Sequence, residues 1–237
     1  MKVAVLWTGG KNSALALHKA KKSGHEIAFL ATLICNKPSL AHPLALIKLQ
    51  SEAMGIPFLW DKLEETNFES YRESIREMKS EYGIDAIVTG DVDYLDDFHG
   101  NWIDNVCNGL GVEVIKPLWG VDRASILGEL LDRNFKVMIT QVKEPWLSED
   151  WLGKILSRDS IEEMQQLELD KHLDLCGEFG EYHTMTLDAP FFNKIIRIPQ
   201  FRKTKAKTGF TLEPEGLSIA TKWSSIVGAN PIVYSLN

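Results

Sequence analysis

Apolar positions along the first half of this chain switch repeatedly between strand-like runs and helix-like spacing. Val3-Ala-Val-Leu-Trp7 is continuously apolar and β-rich, which reads as a strand buried on both faces. Thr8–Asn12 is a short glycine-containing turn, and Ser13–Lys22 reads as a helix that stops at Gly24. A strand over Ile27–Cys35, a helix over Leu44–Met54 stopped by Gly55, and a strand over Ile56–Trp60 follow. The plainest helix comes next. Phe68, Tyr71, Ile75, Met78 and Tyr82 recur at steps of 3, 4, 3 and 4 on one face, and Gly83 ends the run. An aromatic stripe at that spacing reads as packing. Ile84–Thr89 and Val112–Leu118 are further strands. The helix between them buries Ile103, Val106, Cys107 and Leu110 and ends at Gly111, and Asp122 caps a helix carrying Ile126, Leu127, Leu130 and Leu131.

Strict alternation of strands and helices predicts an α/β fold: a parallel five-stranded sheet with helices on both faces and right-handed crossovers. Ligands bind such sheets beyond the carboxyl ends of the strands, which points to the residues after Trp7, Cys35 and Thr89. After about residue 136 the texture changes. A strand over Lys136–Val142 leads to short helices near Ser148–Leu156 and Ser160–Leu169. Strand-like runs follow at Thr184–Leu187, Lys194–Ile198, Phe210–Leu212, Leu217–Trp223 and Pro231–Leu236. The expected division is an α/β domain over 1–135 and a smaller α+β domain over 136–237.

Composition adds exclusions. The chain has 237 residues, 44% of them hydrophobic and 25% charged, so a packed core is expected and wholesale disorder is not. With 26 Lys and Arg against 33 Asp and Glu, the net charge is −7, which disfavours a nucleic-acid or anionic-membrane binder. The longest strongly apolar run, Ile27–Cys35, is nine residues, where a membrane span needs about 20. Three scattered cysteines (Cys35, Cys107, Cys176) make neither a disulfide framework nor a thiolate zinc site, so they read as reduced thiols of a cytoplasmic protein.

Candidate chemistry begins at Thr8-Gly-Gly-Lys-Asn-Ser13, between the first strand and the first helix. Gly9 and Gly10 let the backbone approach a ligand, and the helix start offers unpaired N–H groups with about half a positive charge. Lys11 and Ser13 add donors, so the loop is a candidate anion site; a bare tight turn is the alternative. It is neither a G-x-x-x-x-G-K-[ST] loop nor a G-x-G-x-x-G loop. A second segment, Cys176-Gly-Glu-Phe-Gly-Glu-Tyr-His-Thr184, sets Glu178 and Glu181 three residues apart beside His183. These groups could orient an amine, bind a metal, or serve as acid and base; a solvated acidic turn is the bland alternative. No third spaced ligand compels a metal site there.

Thr8–Ser13 resembles the S-G-G-x-D-S pyrophosphate (PP) loop of the N-type ATP pyrophosphatases. In that group the loop holds pyrophosphate while a substrate oxygen attacks the α-phosphorus of ATP. Thr8 replaces Ser and keeps the hydroxyl. Asn12 replaces Asp, which removes a carboxylate suited to Mg²⁺ and leaves open a simple helix-cap role. The 176–192 stretch resembles the G-E-x-G-E-[YF]-[EH]-T and L-D-x-P-x-F segments of the diphthine–ammonia ligase family. Ala-His-Pro at 41–43, the Gln50–Pro57 stretch, Thr89-Gly-Asp91, Asp104–Cys107 and Pro117-Leu-Trp119 are similar to further family motifs. The tail after Arg202 adds nothing to the likeness.

That resemblance implies an ATP-dependent carboxylate–ammonia ligase, with a PP-loop ATP-binding domain over 1–135 and a substrate-binding domain over 136–237. It would adenylate a carboxylate, transfer ammonia to it and release AMP and pyrophosphate; in the family the carboxylate is that of diphthine on elongation factor 2. The implied cofactors are ATP and Mg²⁺, and the partners are ammonium and a protein substrate such as that factor, with no membrane, no nucleic acid and a homodimer left open. The implied nucleotide site is Thr8, Gly9, Gly10, Lys11, Asn12, Ser13, Thr32 and Gly90, and the implied catalytic set is Lys11, Glu178, Glu181 and His183. Two alternatives stand beside it: the same adenylation on another carboxylate, suggested by His183, and a nucleotide-binding sensor without turnover, suggested by Asn12. Asp91, Asp93, Asp96 and Asp97 are either a cation-binding group or a solvated loop. The basic run of Lys194, Arg197, Arg202, Lys203, Lys205 and Lys207 is either a docking surface or a charged edge strand.

Overall fold

The computed structural model describes residues 1–35, 42–63, 67–93 and 102–222. The first half alternates β1 (Lys2–Leu6), α1 (Lys11–Lys22), β2 (Glu26–Cys35), α2 (Leu44–Met54), β3 (Phe58–Leu63), α3 (Phe68–Tyr82), β4 (Ala86–Val88), α4 (Trp102–Cys107), β5 (Glu113–Ile115) and α5 (Arg123–Asp132). The five strands form one sheet in the order β3-β2-β1-β4-β5, and every neighbouring pair is parallel. The chain grows outward from β1 to β3 and then crosses to β4 on the other side. The strand order therefore reverses between β1 and β4, which places a ligand crevice beyond their carboxyl ends.

Alternate residues of each strand face opposite layers. Val3, Val5, Leu30, Ala86 and Val88 pack with Ala14, Leu15, Leu17, Leu46 and Ile47 of α1 and α2. Ala4, Phe29, Ala31 and Ile87 pack on the other side with Ile75 and Met78 of α3 and with Ile103 and Val106 of α4. Helices thus cover both faces, as the continuous apolar strands require.

The second half comprises β6 (Lys136–Lys143), a 3₁₀ turn at Glu149–Trp151, α6 (Arg158–Lys171), β7 (Tyr182–Asp188), β8 (Lys194–Arg197), β9 (Gln200–Ala206), β10 (Gly209–Glu215) and β11 (Ser218–Thr221). An antiparallel sheet runs β7-β6-β10-β9, and β11 pairs with β8. The helix expected near Ser148–Leu156 is only the 3₁₀ turn. The strand expected at Pro231–Leu236 lies outside the described residues. The basic run includes β9, whose exposed lysines lie on the edge of the sheet among the described residues, where charge deters pairing with other chains. Arg202 pairs across the hairpin with Glu213 and Glu215.

The two halves share one hydrophobic cluster, which runs from Val3, Trp7 and Leu15 through Ile139, Tyr182 and Met185 to Leu212. Polar contacts cross the same junction. Gln50 is fully buried; its Nε2 donates to the carbonyls of Gly9 and Thr186, both at 2.9 Å, while its Oε1 accepts from Trp7 Nε1 at 2.9 Å. His42 is 4% exposed, with Nδ1 at 3.2 Å from the Thr8 carbonyl and Nε2 at 2.8 Å from Thr140 Oγ1. Burial lowers its pKa from 6.5 to about 4, so the ring is neutral near pH 7. His42 thereby bridges the Thr8 carbonyl and the Thr140 hydroxyl, and Thr140 Oγ1 in turn lies 3.2 Å from the His183 carbonyl of β7.

Two outcomes are expected. Gln50→Leu removes three buried hydrogen bonds and should cost about 3 kcal/mol at roughly 1 kcal/mol each, read as a lower urea midpoint at unchanged slope. A loss below about 1 kcal/mol would mean the junction does not depend on this side chain. For His42, the unfolded chain takes up the proton first as pH falls, so its contribution is complete above pH 6.5 and is lost as pH drops towards 4. That loss is worth up to about 3 kcal/mol. The stability gap between the wild type and His42→Gln should narrow over this range, and parallel pH curves would clear His42 of the effect.

Candidate active site

β1 ends at Leu6 and α1 begins at Lys11, two residues earlier than local signals suggest. Its N-cap is Gly10, in extended conformation and without a side-chain cap. The capping oxygen comes from far along the chain: Thr184 Oγ1 on β7 accepts the Lys11 N–H at 3.2 Å. Asn12 is therefore inside the first helical turn and is not a helix cap. Gly9 takes φ +82, and its carbonyl accepts the Thr186 N–H at 2.9 Å. Thr8 Oγ1 and Ser13 Oγ lie 3.2 Å apart, and Ser13 Oγ donates to the Gly10 carbonyl at 3.1 Å, which braces the loop internally.

A cleft of about 250 Å³ opens at this loop. Thr8, Gly10, Lys11 and Asn12 form one wall; Cys176, Gly177, Glu178, Tyr182, His183 and Thr184 form the other, and His42 adjoins them. Asn12 Nδ2 donates to Glu178 Oε1 at 2.6 Å, so the two sequence motifs meet directly. Lys11 is buried; its Nζ donates to the Cys176 carbonyl and lies 4.9 Å from the centre of the Tyr182 ring. Asn12 Oδ1 is buried without a donor, an acceptor facing no partner among the described residues.

The segment between Asp174 and Glu181 is tightly bonded. Asp174 Oδ1 accepts the N–H of Cys176 at 2.7 Å and of Glu178 at 3.4 Å. Glu181 is 2% exposed and accepts the Asp174 N–H at 3.3 Å through Oε1 and the Phe179 N–H at 3.1 Å through Oε2. Arg123 Nε, from the first residue of α5, donates to Asp174 Oδ2 at 3.1 Å. Gly177 and Gly180 have positive φ; a Cβ on Gly177 would lie 2.8 Å from the Tyr182 carbonyl. Phe179, between them, is 60% exposed.

Electrostatics follow burial. Desolvation raises the Glu178 carboxyl pKa, with Asp174 adding repulsion, while Lys11 and the Asn12 hydrogen bond oppose the shift. His183 is pushed down by burial first and then by Lys11 and Lys143, which favours the neutral ring. Burial drives the Cys176 thiol up to about 12, so it is protonated and no nucleophile near neutrality.

Of the residues that the sequence motifs single out, Thr8, Gly10, Lys11, Asn12, Glu178 and His183 line the cleft. Gly9, Ser13, Thr32, Gly90 and Glu181 stand behind its walls. The Thr32 hydroxyl donates to the Trp7 carbonyl at 2.6 Å. Gly90 packs on the Thr8–Ser13 loop so closely that a Cβ would come within 2.7 Å of the Asn12 and Ser13 backbone. His42, Tyr182 and Thr184 join the cleft without having been expected there, although all three sit inside motifs quoted above. Asp93 faces Arg123 Nη1 at 3.4 Å, whereas Asp96 and Asp97 lie outside the described residues. Among the described residues, no three His, Cys, Asp or Glu side chains converge as a metal site, and no helix is long and apolar enough to cross a membrane.

Known proteins give this cleft a family. Residues 1–114 match the diphthamide synthase N-terminal domain and residues 122–215 match the diphthamide synthase C-terminal domain. The chain is 29% identical to the human diphthine–ammonia ligase over 224 residues, covering 83% of this chain and 82% of that protein. It is 28% identical to the zebrafish (Danio rerio) diphthine–ammonia ligase over 223 residues, covering 84% and 86%. The Saccharomyces cerevisiae diphthine–ammonia ligase is 26% identical over 236 residues, which is 81% of this chain but 33% of that longer protein. A solved structure described as a predicted subunit of tRNA methyltransferase from Methanocaldococcus jannaschii overlaps with a TM-score of 0.43 at 16% identity, covering 80% of this chain and 98% of that one. With both domain models matched in order along one continuous core, the chain belongs to the diphthamide synthase family.

Proposed function

We propose that this protein is an ATP-dependent carboxylate–ammonia ligase of the diphthine–ammonia ligase type. The observation that carries the reading is the 2.6 Å contact between Asn12 of the phosphate loop and Glu178 of the second motif, which joins an anion site to a buried carboxylate in one cleft. In this reading residues 1–135 bind ATP and residues 136–237 hold the acceptor. The pyrophosphate part of ATP lies against the Gly10–Ser13 helix start, where the helix dipole and the N–H groups beyond the capped Lys11 stabilise charge as it leaves. The acceptor carboxylate oxygen attacks the α-phosphorus, pyrophosphate departs, and ammonia then displaces AMP from the acyl carbon to form the amide.

Four cleft side chains, and Phe179 beside them, have parts in this scheme. Lys11, held by Cys176 and Tyr182, supplies fixed positive charge beside the phosphates. Glu178, with its pKa raised by burial, binds ammonium and takes its proton. Neutral His183 borders the acceptor and can donate one hydrogen bond and accept another. Mg²⁺ would be held chiefly by the phosphate oxygens, with the unpartnered Asn12 Oδ1 as a fitting protein acceptor, and would neutralise phosphate charge. Phe179 projects from the rigid loop next to Glu178 and offers an aromatic contact to a protein acceptor.

The competing reading keeps the chemistry and changes the carboxylate; His183 at the cleft favours carrying it. Purified protein is incubated with ATP, Mg²⁺ and ammonium, with and without diphthine-bearing elongation factor 2, while AMP and pyrophosphate are followed. AMP that depends on that factor supports the specific ligase. AMP with other carboxylates supports the competing reading, and tight ATP binding with no AMP for any acceptor would favour a sensor. Gly10→Asp should abolish ATP binding, because it places a carboxylate in the anion site; unchanged affinity would remove the phosphate-loop assignment. Phe179→Ala should raise KM for the protein acceptor about tenfold while leaving ATP affinity alone, consistent with about 1.4 kcal/mol for one aromatic contact.

A further inference from the structure

We infer that Asp174 and Glu181 are positioning residues: together they cage the loop that delivers Glu178 to the cleft, and Arg123 anchors the cage. The catalytic consequence rests on the ligase reading above, whereas the geometry stands without it.

The loop needs such a device. Gly177 and Gly180 flank its tip, and glycine backbones lose the most freedom on ordering, so an unbraced Gly-Glu-Phe-Gly tip would sample many conformations. Four of its N–H groups are instead collected by two carboxylates at its opposite ends. Asp174 takes those of Cys176 and Glu178, and Glu181 takes those of Asp174 and Phe179. The closure is reciprocal, because the N–H of one cage residue is bound by the carboxylate of the other. Glu181 is 2% exposed, does not line the cleft, and has a backbone donor on each oxygen. A carboxylate so committed orders backbone; an ammonium ion in the cleft would have to displace those bonds to reach it.

Arg123 ties the cage to the rest of the molecule. It begins α5 in the first half, and its Nε holds Asp174 Oδ2 at 3.1 Å while its Nη1 reaches Asp93 Oδ2 at 3.4 Å beyond β4. One guanidinium thereby links the loop after β4 to the second motif. Two further bonds pin the same loop from beneath: Tyr182 Oη donates to the Leu175 carbonyl and Lys11 Nζ to that of Cys176. With the backbone held on both sides, the Glu178 side chain is left to meet Asn12. The second carboxylate of the motif thus acts on the reaction through the first.

Hydrogen exchange on the full-length chain, combined with steady-state kinetics, tests this. In the wild type the amides of Cys176, Glu178 and Phe179 should exchange slowly for a surface loop. Glu181→Gln leaves one acceptor oxygen for two donors, and Asp174→Asn turns an N–H donor against Arg123. Either change should speed exchange at Glu178 and Phe179 at least about tenfold and lower kcat for amide formation by about the same factor, with KM for ATP unchanged. Arg123→Met should act like Asp174→Asn, and Arg123→Lys should recover part of the loss by restoring the cation. Glu178→Gln should remove turnover while leaving loop exchange slow. Loss of turnover in Glu181→Gln with exchange still slow would overturn the inference and make Glu181 a direct participant. Unchanged exchange and turnover in both cage variants would overturn it as well. A wild type that forms no AMP with any acceptor would sink the ligase reading, while the exchange data would still judge the cage.

Discussion

The carbonyl oxygen of Gly9 accepts two hydrogen bonds, one from the Thr186 N–H of β7 and one from Gln50 Nε2. Most of the site depends on that docking. The bonds fasten a loop of the parallel sheet to the rim of the antiparallel sheet, in a buried setting where unmet polar groups would cost about 1–3 kcal/mol each. With Gly9 held, Thr184 is in place to cap Lys11 and Lys11 to reach Cys176. Asn12 is likewise brought to Glu178. The same loop on an isolated parallel sheet would lack Thr184, Thr186, Cys176 and Glu178. Here both walls of the cleft are built by one set of contacts.

The cleft also shows how burial divides labour among similar groups. Glu178 and Glu181 are the same residue type three positions apart, yet their surroundings differ. Glu178 lines the cleft beside Lys11 and Asn12, and desolvation raises its pKa. Glu181 is turned inward and met by backbone donors. The three histidines His18, His42 and His183 are all shifted down by burial, but only His42 spans the two sheets and only His42 and His183 touch the cleft. Residue type sets what a side chain can do, and its neighbours decide which of those things it does.

Much of the first half is legible in the order and spacing of its residues. The 3–4 spacing of Phe68 through Tyr82 marks α3 to the residue, and Gly83 does stop it in a left-handed conformation. Asp122 caps α5 as its position suggests, accepting the Ser125 N–H. These features are local, so a few neighbouring residues carry them. Local signals put the start of α1 at Ser13 instead of Lys11 because the capping oxygen, on Thr184, is 173 residues away. β9 carries no strand signal because its lysine-rich residues show no apolar alternation; among the described residues it is an edge strand paired only with β10, which removes the need for a buried face.

The same contrast holds for the site. Sequence alone determined that a glycine-rich turn would follow the first strand at the ligand-binding edge, and that a Gly-Glu pair of motifs would follow in the second half. Order along the chain and local spacing are enough for both. Tertiary structure decided which of those residues face the cleft. It turned Glu178 in and Glu181 away, placed Gly90 and Thr32 behind the wall, and brought in His42 and Thr184. Those choices turn on hydrogen bonds between groups tens to more than a hundred residues apart, which exist only once the shared core has closed.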